Sequence, residues 1–193
     1  MKILYLGARR ENLIEYLISL GDSVVTTEKK ITAKSSILEN VDWIISYGYR
    51  YIIKNDVINR FDKKIVNLHI SLLPWNRGAD PNLWSFLDNT PKGVTIHFID
   101  SGIDTGEILA QQEMEFCEGE TLRSSYNKLT VLIEKLFIAK WREIKEGIIV
   151  PSPQVGNGSY HKTADKTKFL ELLADDWDTP VNNIILKNMK EKS

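Results

Sequence analysis

The chain has a single cysteine, Cys117, among 193 residues. An intramolecular disulfide is therefore impossible and a cysteine-based zinc site is excluded, which suits a reducing compartment and makes a cytoplasmic location the expectation. An excess of charge of either sign is also missing. The 25 Lys and Arg balance 26 Asp and Glu to a net charge of −1, without the basic excess that draws proteins onto a phosphate backbone, so nucleic acid is not an expected partner. No run approaches the ~18 consecutive apolar residues of a membrane-spanning helix. Met1-Lys2-Ile3-Leu4-Tyr5-Leu6-Gly7 is too short for a signal h-region and lacks a small-residue cleavage site, so neither membrane association nor export is expected. Repeats and low-complexity segments are absent. What remains is an ordinary globular composition, with 42% hydrophobic residues. A chain of this length makes one domain, or one domain with an appendage, and buries about 70% of its extended surface on folding.

Over the first hundred residues short apolar runs alternate with polar helical stretches, the pattern of βα units around a buried parallel sheet. The expected fold class is α/β. Strands are predicted at 3–6, 23–27, 43–47, 64–69, 94–98 and 108–116, and helices at 11–20, 55–60 and 82–87, the first closed by Gly21. A long helix is expected from Glu120 to Lys145, because Leu122, Tyr126, Leu129, Leu132, Ile133, Leu136, Phe137, Ala139 and Trp141 recur mostly at threes and fours. Gly147 ends it. Residues 29–40 carry no clear pattern, 151–158 are turn-rich, and the tail holds two further helical stretches, around 168–174 and 181–189. Residues 1–150 are thus the expected catalytic domain and 151–193 a C-terminal hairpin and helical extension.

The chemistry-bearing residues fall in one block: Asn67-Leu68-His69-Ile70-Ser71-Leu72-Leu73-Pro74, then Trp75-Asn76-Arg77-Gly78, Gly93-Val94-Thr95-Ile96-His97, and Asp104-Thr105-Gly106. Asn67 and His69 are two apart on a strand, so their side chains leave one face at its C-terminal end, where α/β sheets place ligands. Burying both without a task is costly. His97, in a β-branched run, is expected to be structural or pocket-lining rather than a second base.

This block resembles the signature of the folate-dependent formyltransferase family, which includes glycinamide ribonucleotide transformylase, methionyl-tRNA formyltransferase and the nucleotide-sugar N-formyltransferases. The matching pieces are Asn-x-His, Ser-Leu-Leu-Pro, Gly-Val-Thr and Asp-Thr-Gly, with continuous likeness from Asp42 to Gly147. The formylation domain of the linear gramicidin synthetase is similar in Asn-Leu-His, in Ser-Leu-Leu-Pro-Trp-Asn and in Thr-Pro-Lys-Gly-Val-Thr-Ile-His. The resemblance implies a truncated Rossmann-like formyltransferase fold with a mostly parallel central sheet and a short C-terminal extension. It also implies 10-formyltetrahydrofolate as co-substrate.

By that resemblance Asn67, His69 and Asp104 match the catalytic trio. Asn67 and a protonated His69 would donate hydrogen bonds to the oxyanion of the tetrahedral intermediate, each such donor being worth roughly 2.7 to 4 kcal/mol. Asp104 would favour the imidazolium, fix its ring and relay the proton lost by the amine. Pterin and formyl group are implied to lie between two loops, one carrying Gly48, Tyr49, Arg50 and Ile53, the other Ser101, Gly102 and Ile103, mostly through backbone groups. On the residues alone, Ser101-Gly102 is equally an ordinary turn. Trp75, Arg77 and Asp80 fall in the loop that lies beside the acceptor in the family, with Arg77 suited to a phosphate or carboxylate and Trp75 to stacking. Gln154, Ser159, Tyr160, His161 and Lys162 resemble a segment placed near the nucleotide sugar, and read equally well as a surface β-hairpin.

Departures from the family pattern narrow the acceptor. Asn67 comes early, so about one βα unit of the nucleotide-binding half is missing, which disfavours glycinamide ribonucleotide. The turn Gly7-Ala8-Arg9-Arg10-Glu11-Asn12 is not a G-x-G-x-x-G fingerprint. Residues beyond Val150 are too few for the nucleic-acid-binding barrel of the methionyl-tRNA enzyme. Among the acceptors that the resemblance implies, the expected one is a nucleotide-linked 4-amino-4,6-dideoxy sugar. The alternatives are glycinamide ribonucleotide, a carrier-bound aminoacyl group, and water, which would make the protein a formyl-folate hydrolase. A homodimer packed through the tail from Asp165 onward is a further expectation.

Overall fold

The computed structural model of the protein describes residues 1–117, 119–173 and 175–185. These divide into two compact units. The first comprises Met1–His69, Ile96–Ala110 and Glu134–Pro153, and the second Ile70–Thr95, Gln111–Ile133 and the chain from Gln154 onward.

The first unit opens with β1 (Lys2–Leu6), α1 (Glu11–Ser19) and β2 (Ser23–Thr27). Helix α1 buries Leu13, Ile14 and Leu17. It closes in a Schellman turn: Gly21, at φ +82°, donates its N–H to Ile18 O at 2.9 Å while Asp22 donates to Leu17 O at 3.3 Å. Strand β3 (Trp43–Ser46), helix α2 (Asn55–Arg60) and strand β4 (Ile65–His69) follow. Pairing is parallel between β1 and β2, β1 and β3, and β3 and β4. Strands β6 (Gly93–Phe98) and β7 (Ile108–Glu113) complete a six-stranded sheet in the order β2-β1-β3-β4-β6-β7. Those two strands lie in the first unit from Ile96 on and up to Ala110 respectively. Leu4, Leu6, Ile44, Val57, Phe61 and Ile65 form a buried cluster on the sheet, as expected of parallel strands covered by helices.

The second unit holds β5 (Arg77–Gly78), α3 (Pro81–Leu87), the start of the long α4 (Leu122–Lys145), β8 (Tyr160–His161) and a 3₁₀ segment, Thr163–Leu173. Leu83, Trp84, Phe86, Leu87, Leu122, Val181 and Ile184 are its buried apolar cluster. Thr95 ties this unit's loop to its strand: its Oγ1 donates to Ser71 O at 2.7 Å and accepts from Leu73 N at 3.0 Å. The Thr of Gly-Val-Thr thus holds Ser-Leu-Leu-Pro in place.

Several sequence expectations are corrected. Strand β7 ends at Glu113 rather than 116, and residues 29–40 contain one 3₁₀ turn, Ser36–Leu38. No hairpin forms at 159–162; Tyr160 and His161 pair in parallel with Arg77 and Gly78. Gly78 permits this, because a Cβ there would stand 2.3 Å from His161 O, and a segment 83 residues away in sequence, whose Ser159 binds Asn76, cannot be foreseen from local pattern. The expected tail helices become the 3₁₀ segment and a helical turn at 181–185. Their expected extensions to 174 and 189 lie outside the described residues. No described helix is long and apolar enough to cross a membrane.

Candidate active site

Strand β4 reads Ile65-Val66-Asn67-Leu68-His69, with Ile65 and Val66 buried in the sheet. Its period of two sends Asn67 and His69 to the same face, where Asn67 is half-buried and His69 buried. On β6 the same logic brings His97 to that strand's C-terminal end, 1% exposed. Asp104 arrives from the loop between β6 and β7. Asp100 Oδ1 fixes that loop, accepting from Gly102 N at 3.1 Å and Thr105 Oγ1 at 2.7 Å, and Asp104 itself sits in the left-handed region at φ +52°. Gly106 closes the turn against β6: a Cβ there would be 1.9 Å from Phe98 O. The glycine of Asp-Thr-Gly is therefore a matter of space.

These four side chains meet within the first unit. The Nδ2 of Asn67 lies 3.2 Å from Asp104 Oδ1 and 3.2 Å from His97 Nε2. The Nδ1 of His97 is 2.7 Å from Phe98 O, so its proton belongs on Nδ1 and Nε2 accepts from the amide. Both hydrogens of Asn67 are thereby used, one on each partner. The Nδ1 of His69 lies 3.8 Å from Asp104 Oδ2, too long for a direct hydrogen bond but close enough for the carboxylate to stabilise charge on the ring. His69 and His97 meet edge to face, with centroids 6.1 Å apart. The cluster thus holds one amide donor, two imidazoles and one carboxylate, the groups needed to stabilise an oxyanion and to move a proton.

The loop after β3 lies in the same unit. Gly48 and Arg50 are exposed, whereas Ile53 is buried in the sheet's apolar cluster. The Tyr49 hydroxyl donates to Lys29 O at 2.9 Å and accepts from Ile31 N at 3.0 Å, and burial pushes its pKa above the ordinary tyrosine value. That side chain anchors residues 29–31. Ser101, Gly102 and Ile103 are exposed at the loop tip.

The residues expected to meet an acceptor lie in the second unit. Arg77 sends Nε and Nη2 to Gln154 Oε1 at 3.0 and 2.7 Å, so its positive charge faces a neutral amide. Tyr160 is its partner in the β5–β8 ladder. Asp80 pairs with Lys166 at 3.1 Å, and the carbonyl of Trp75 accepts from Ser71 Oγ at 2.7 Å. The direct bond between His97 and Asn67 has one signal in the sequence, a histidine at or next to the last residue of each of two apolar strands, His69 on β4 and His97 on β6.

Residues 23–140 match a protein-family model described as Formyl transferase. Among solved structures, the formyltransferase PseJ from Anoxybacillus kamchatkensis, in complex with UDP-4,6-dideoxy-4-formamido-L-AltNAc and tetrahydrofolate, is 57% identical. It aligns with a TM-score of 0.94 over 96% of this chain and 98% of that one. A 4-N formyltransferase from Francisella tularensis shares the fold, with 22% identity and a TM-score of 0.74 over 86% of this chain and 78% of that one. Among curated proteins, methionyl-tRNA formyltransferase of Thermodesulfovibrio yellowstonii is 34% identical over 122 residues, 63% of this chain and 40% of that protein. The chain spans less than half the length of the curated relatives it matches.

Proposed function

The chain belongs to the formyl transferase family, and from that premise we propose that it moves a formyl group from 10-formyltetrahydrofolate to the 4-amine of a UDP-linked 4-amino-4,6-dideoxy sugar. The observation that carries this reading is the likeness to PseJ, whose structure holds a 4-formamido nucleotide sugar and tetrahydrofolate. The identity of 57% extends over nearly all of both chains, and the polar cluster at Asn67, His69 and Asp104 has the chemistry the transfer needs. A net charge of −1 supplies no field for tRNA.

In this reaction the acceptor nitrogen forms a bond to the formyl carbon, the carbonyl electrons move onto oxygen, and the tetrahedral intermediate collapses with cleavage of the bond to folate N10. The amine loses one proton and N10 of the leaving tetrahydrofolate gains one. In our reading Asn67 and His69 donate to the oxyanion, a contact stronger in the transition state than in the ground state. To do so, Asn67 redirects one of the two N–H groups now held by Asp104 and His97. Asp104, as a carboxylate, favours the charged form of His69 and relays the amine's proton toward the leaving N10. Gly48, Tyr49, Arg50 and Ile53, with Ser101, Gly102 and Ile103, offer the two loops for the folate. Arg77 would meet the acceptor's diphosphate: two of its N–H groups are on Gln154 and three remain, in a fork suited to phosphate oxygens. Trp75 and Tyr160 are further acceptor contacts in this reading, and a single cysteine fits a cytoplasmic setting.

The test is tetrahydrofolate release from 10-formyltetrahydrofolate with UDP- and dTDP-linked 4-amino sugars, glycinamide ribonucleotide, methionyl-tRNA and an acceptor-free control. Turnover with a UDP-linked 4-amino sugar, giving a product heavier by one formyl group, is expected. Turnover without acceptor would make the protein a hydrolase, and turnover only with methionyl-tRNA would overturn the sugar reading.

A further inference from the structure

The second unit contains a cavity of about 290 Å³, near the lower end of small-molecule sites. It has room for one ring system rather than a whole nucleotide sugar. Its lining includes the apolar Leu83 and Leu122, the rings of Tyr126 and Trp177, and three charged groups, Asp80, Asp176 and Lys166. Resting on the nucleotide-sugar reading above, we propose that this cavity receives the uracil ring of the acceptor, with Trp177 as the stacking surface and Lys166 turned toward the diphosphate.

Two independent features point to a ligand. Trp177 lies in a short 3₁₀ turn, Asp176–Asp178, and is 41% exposed, held by one edge contact to Tyr126 at a centroid distance of 5.3 Å. A large ring left half in water beside an apolar hollow is a platform for a flat heterocycle. Asp80 is the other feature. It stands at the N-cap of α3 in the left-handed conformation, φ +52° and ψ +44°, yet its carboxylate makes no capping bond. A carboxylate at that position ordinarily accepts a helix N–H, and a non-glycine residue in that region of backbone space stores strain that marks functional positions. Here the side chain is given to Lys166 instead, with Nζ at 3.1 and 3.4 Å from its two oxygens. The pair is partly exposed, at 29% for Asp80 and 37% for Lys166. When the uracil ring enters, the carboxylate can accept its imide N–H and release Lys166 to the phosphates, so one exchange of partners serves both ends of UDP.

The experiment is titration calorimetry of the whole protein with UDP and with uridine. Trp177→Ala is expected to weaken both by about tenfold, the size of a lost base–aromatic stack, with an equal rise in KM for the nucleotide sugar. Trp177→Phe should restore most of the affinity, which a role in folding alone would not require. Lys166→Ala is expected to weaken UDP and leave uridine unchanged. Tetrahydrofolate binding by each variant checks that it is folded. Affinities within twofold of the unsubstituted protein in Trp177→Ala would overturn the assignment, as would failure of the unsubstituted protein to bind UDP while it still turns over nucleotide amino sugars. Absence of any sugar turnover alongside Trp177-dependent UDP binding would instead strike the formyl-transfer reading.

Discussion

Asn67 and His97 lie 30 residues apart in sequence, and the amide nitrogen of one stands 3.2 Å from Nε2 of the other. Ile99 N donates to Ile65 O at 2.9 Å, so β4 and β6 run antiparallel with Asn67 beside His97, and the bond orients the amide whose second hydrogen goes to Asp104 at 3.2 Å. In the proposed reaction His97 would therefore be a positioning residue that acts through Asn67. In His97→Ala, kcat is expected to fall about tenfold, the value of roughly one net hydrogen bond, with little change in either KM. His97→Gln, which can still accept, should recover part of the loss. Steady-state kinetics decide this, and an unchanged kcat in the alanine variant would remove His97 from the machinery.

Asp104→Asn keeps the size of the side chain and tolerates the φ of +52°, because Asn is among the residues most at ease in that region. What it removes is the charge beside His69 and, in the proposed reaction, the proton acceptor. Loss of general base assistance is expected to lower kcat by about 10² to 10⁴, and His69→Asn should fall in the same range. Equilibrium binding of tetrahydrofolate should be retained in both. A variant that turns over at the normal rate would exclude its residue from catalysis.

Gly106→Ala places a methyl group where the carbonyl of Phe98 already stands, 1.9 Å away. Both atoms are fixed by backbone, so the loop carrying Asp104 has to shift. A cost of about 1 to 3 kcal/mol is expected, with a loss of activity beyond what the remaining folded fraction explains. Calorimetric Tm and kcat measured on one preparation test the two effects together, and an unchanged Tm would show that the turn can relax freely.

Acid sensitivity should arise at Glu120. Its carboxylate is almost wholly buried and accepts from Lys128 Nζ and Ser124 Oγ. The Lys128 bond first, and the Ser124 bond second, hold its pKa below the ordinary glutamate value. A folded-state pKa below the unfolded one gives stability that is present above the unfolded value of 4.5 and is lost as pH falls through the folded one. Glu120→Gln is therefore expected to be about 1 kcal/mol less stable at pH 7, the partner lysine being half in solvent. The gap should narrow between pH 7 and a pH well below 4.5, where the folded-state carboxylate is protonated too. Urea unfolding of both proteins at the two pH values measures it, and a gap independent of pH would assign the effect to packing.

Much of the fold was readable because its signals are local. Strand β2 and helix α2 have the ends that periodicity and turn residues indicated, and Gly21 closes α1 as a left-handed cap. The long helix was equally plain, since apolar positions recurring along 24 residues leave little ambiguity of period. Asn67 and His69 could be placed on one face from the strand period alone. Three features were out of reach. The parallel pairing of Tyr160 with Arg77 depends on a chain crossing far away in sequence and on the missing Cβ of Gly78. The strand β7 has an end set by its neighbours rather than by its own residues. The link from His97 to Asn67 depends on which strands lie side by side.

The sequence by itself determined the α/β class, the family signature and the side-by-side placement of Asn67 and His69, because propensity, periodicity and motif spacing act over a few residues. Only the tertiary structure decided that His97 bonds to Asn67, that Arg77 faces Gln154, and that Asp80 turns from its helix to Lys166. Each is a contact between side chains distant along the chain, and its geometry comes from strand order and close packing, which no local pattern encodes.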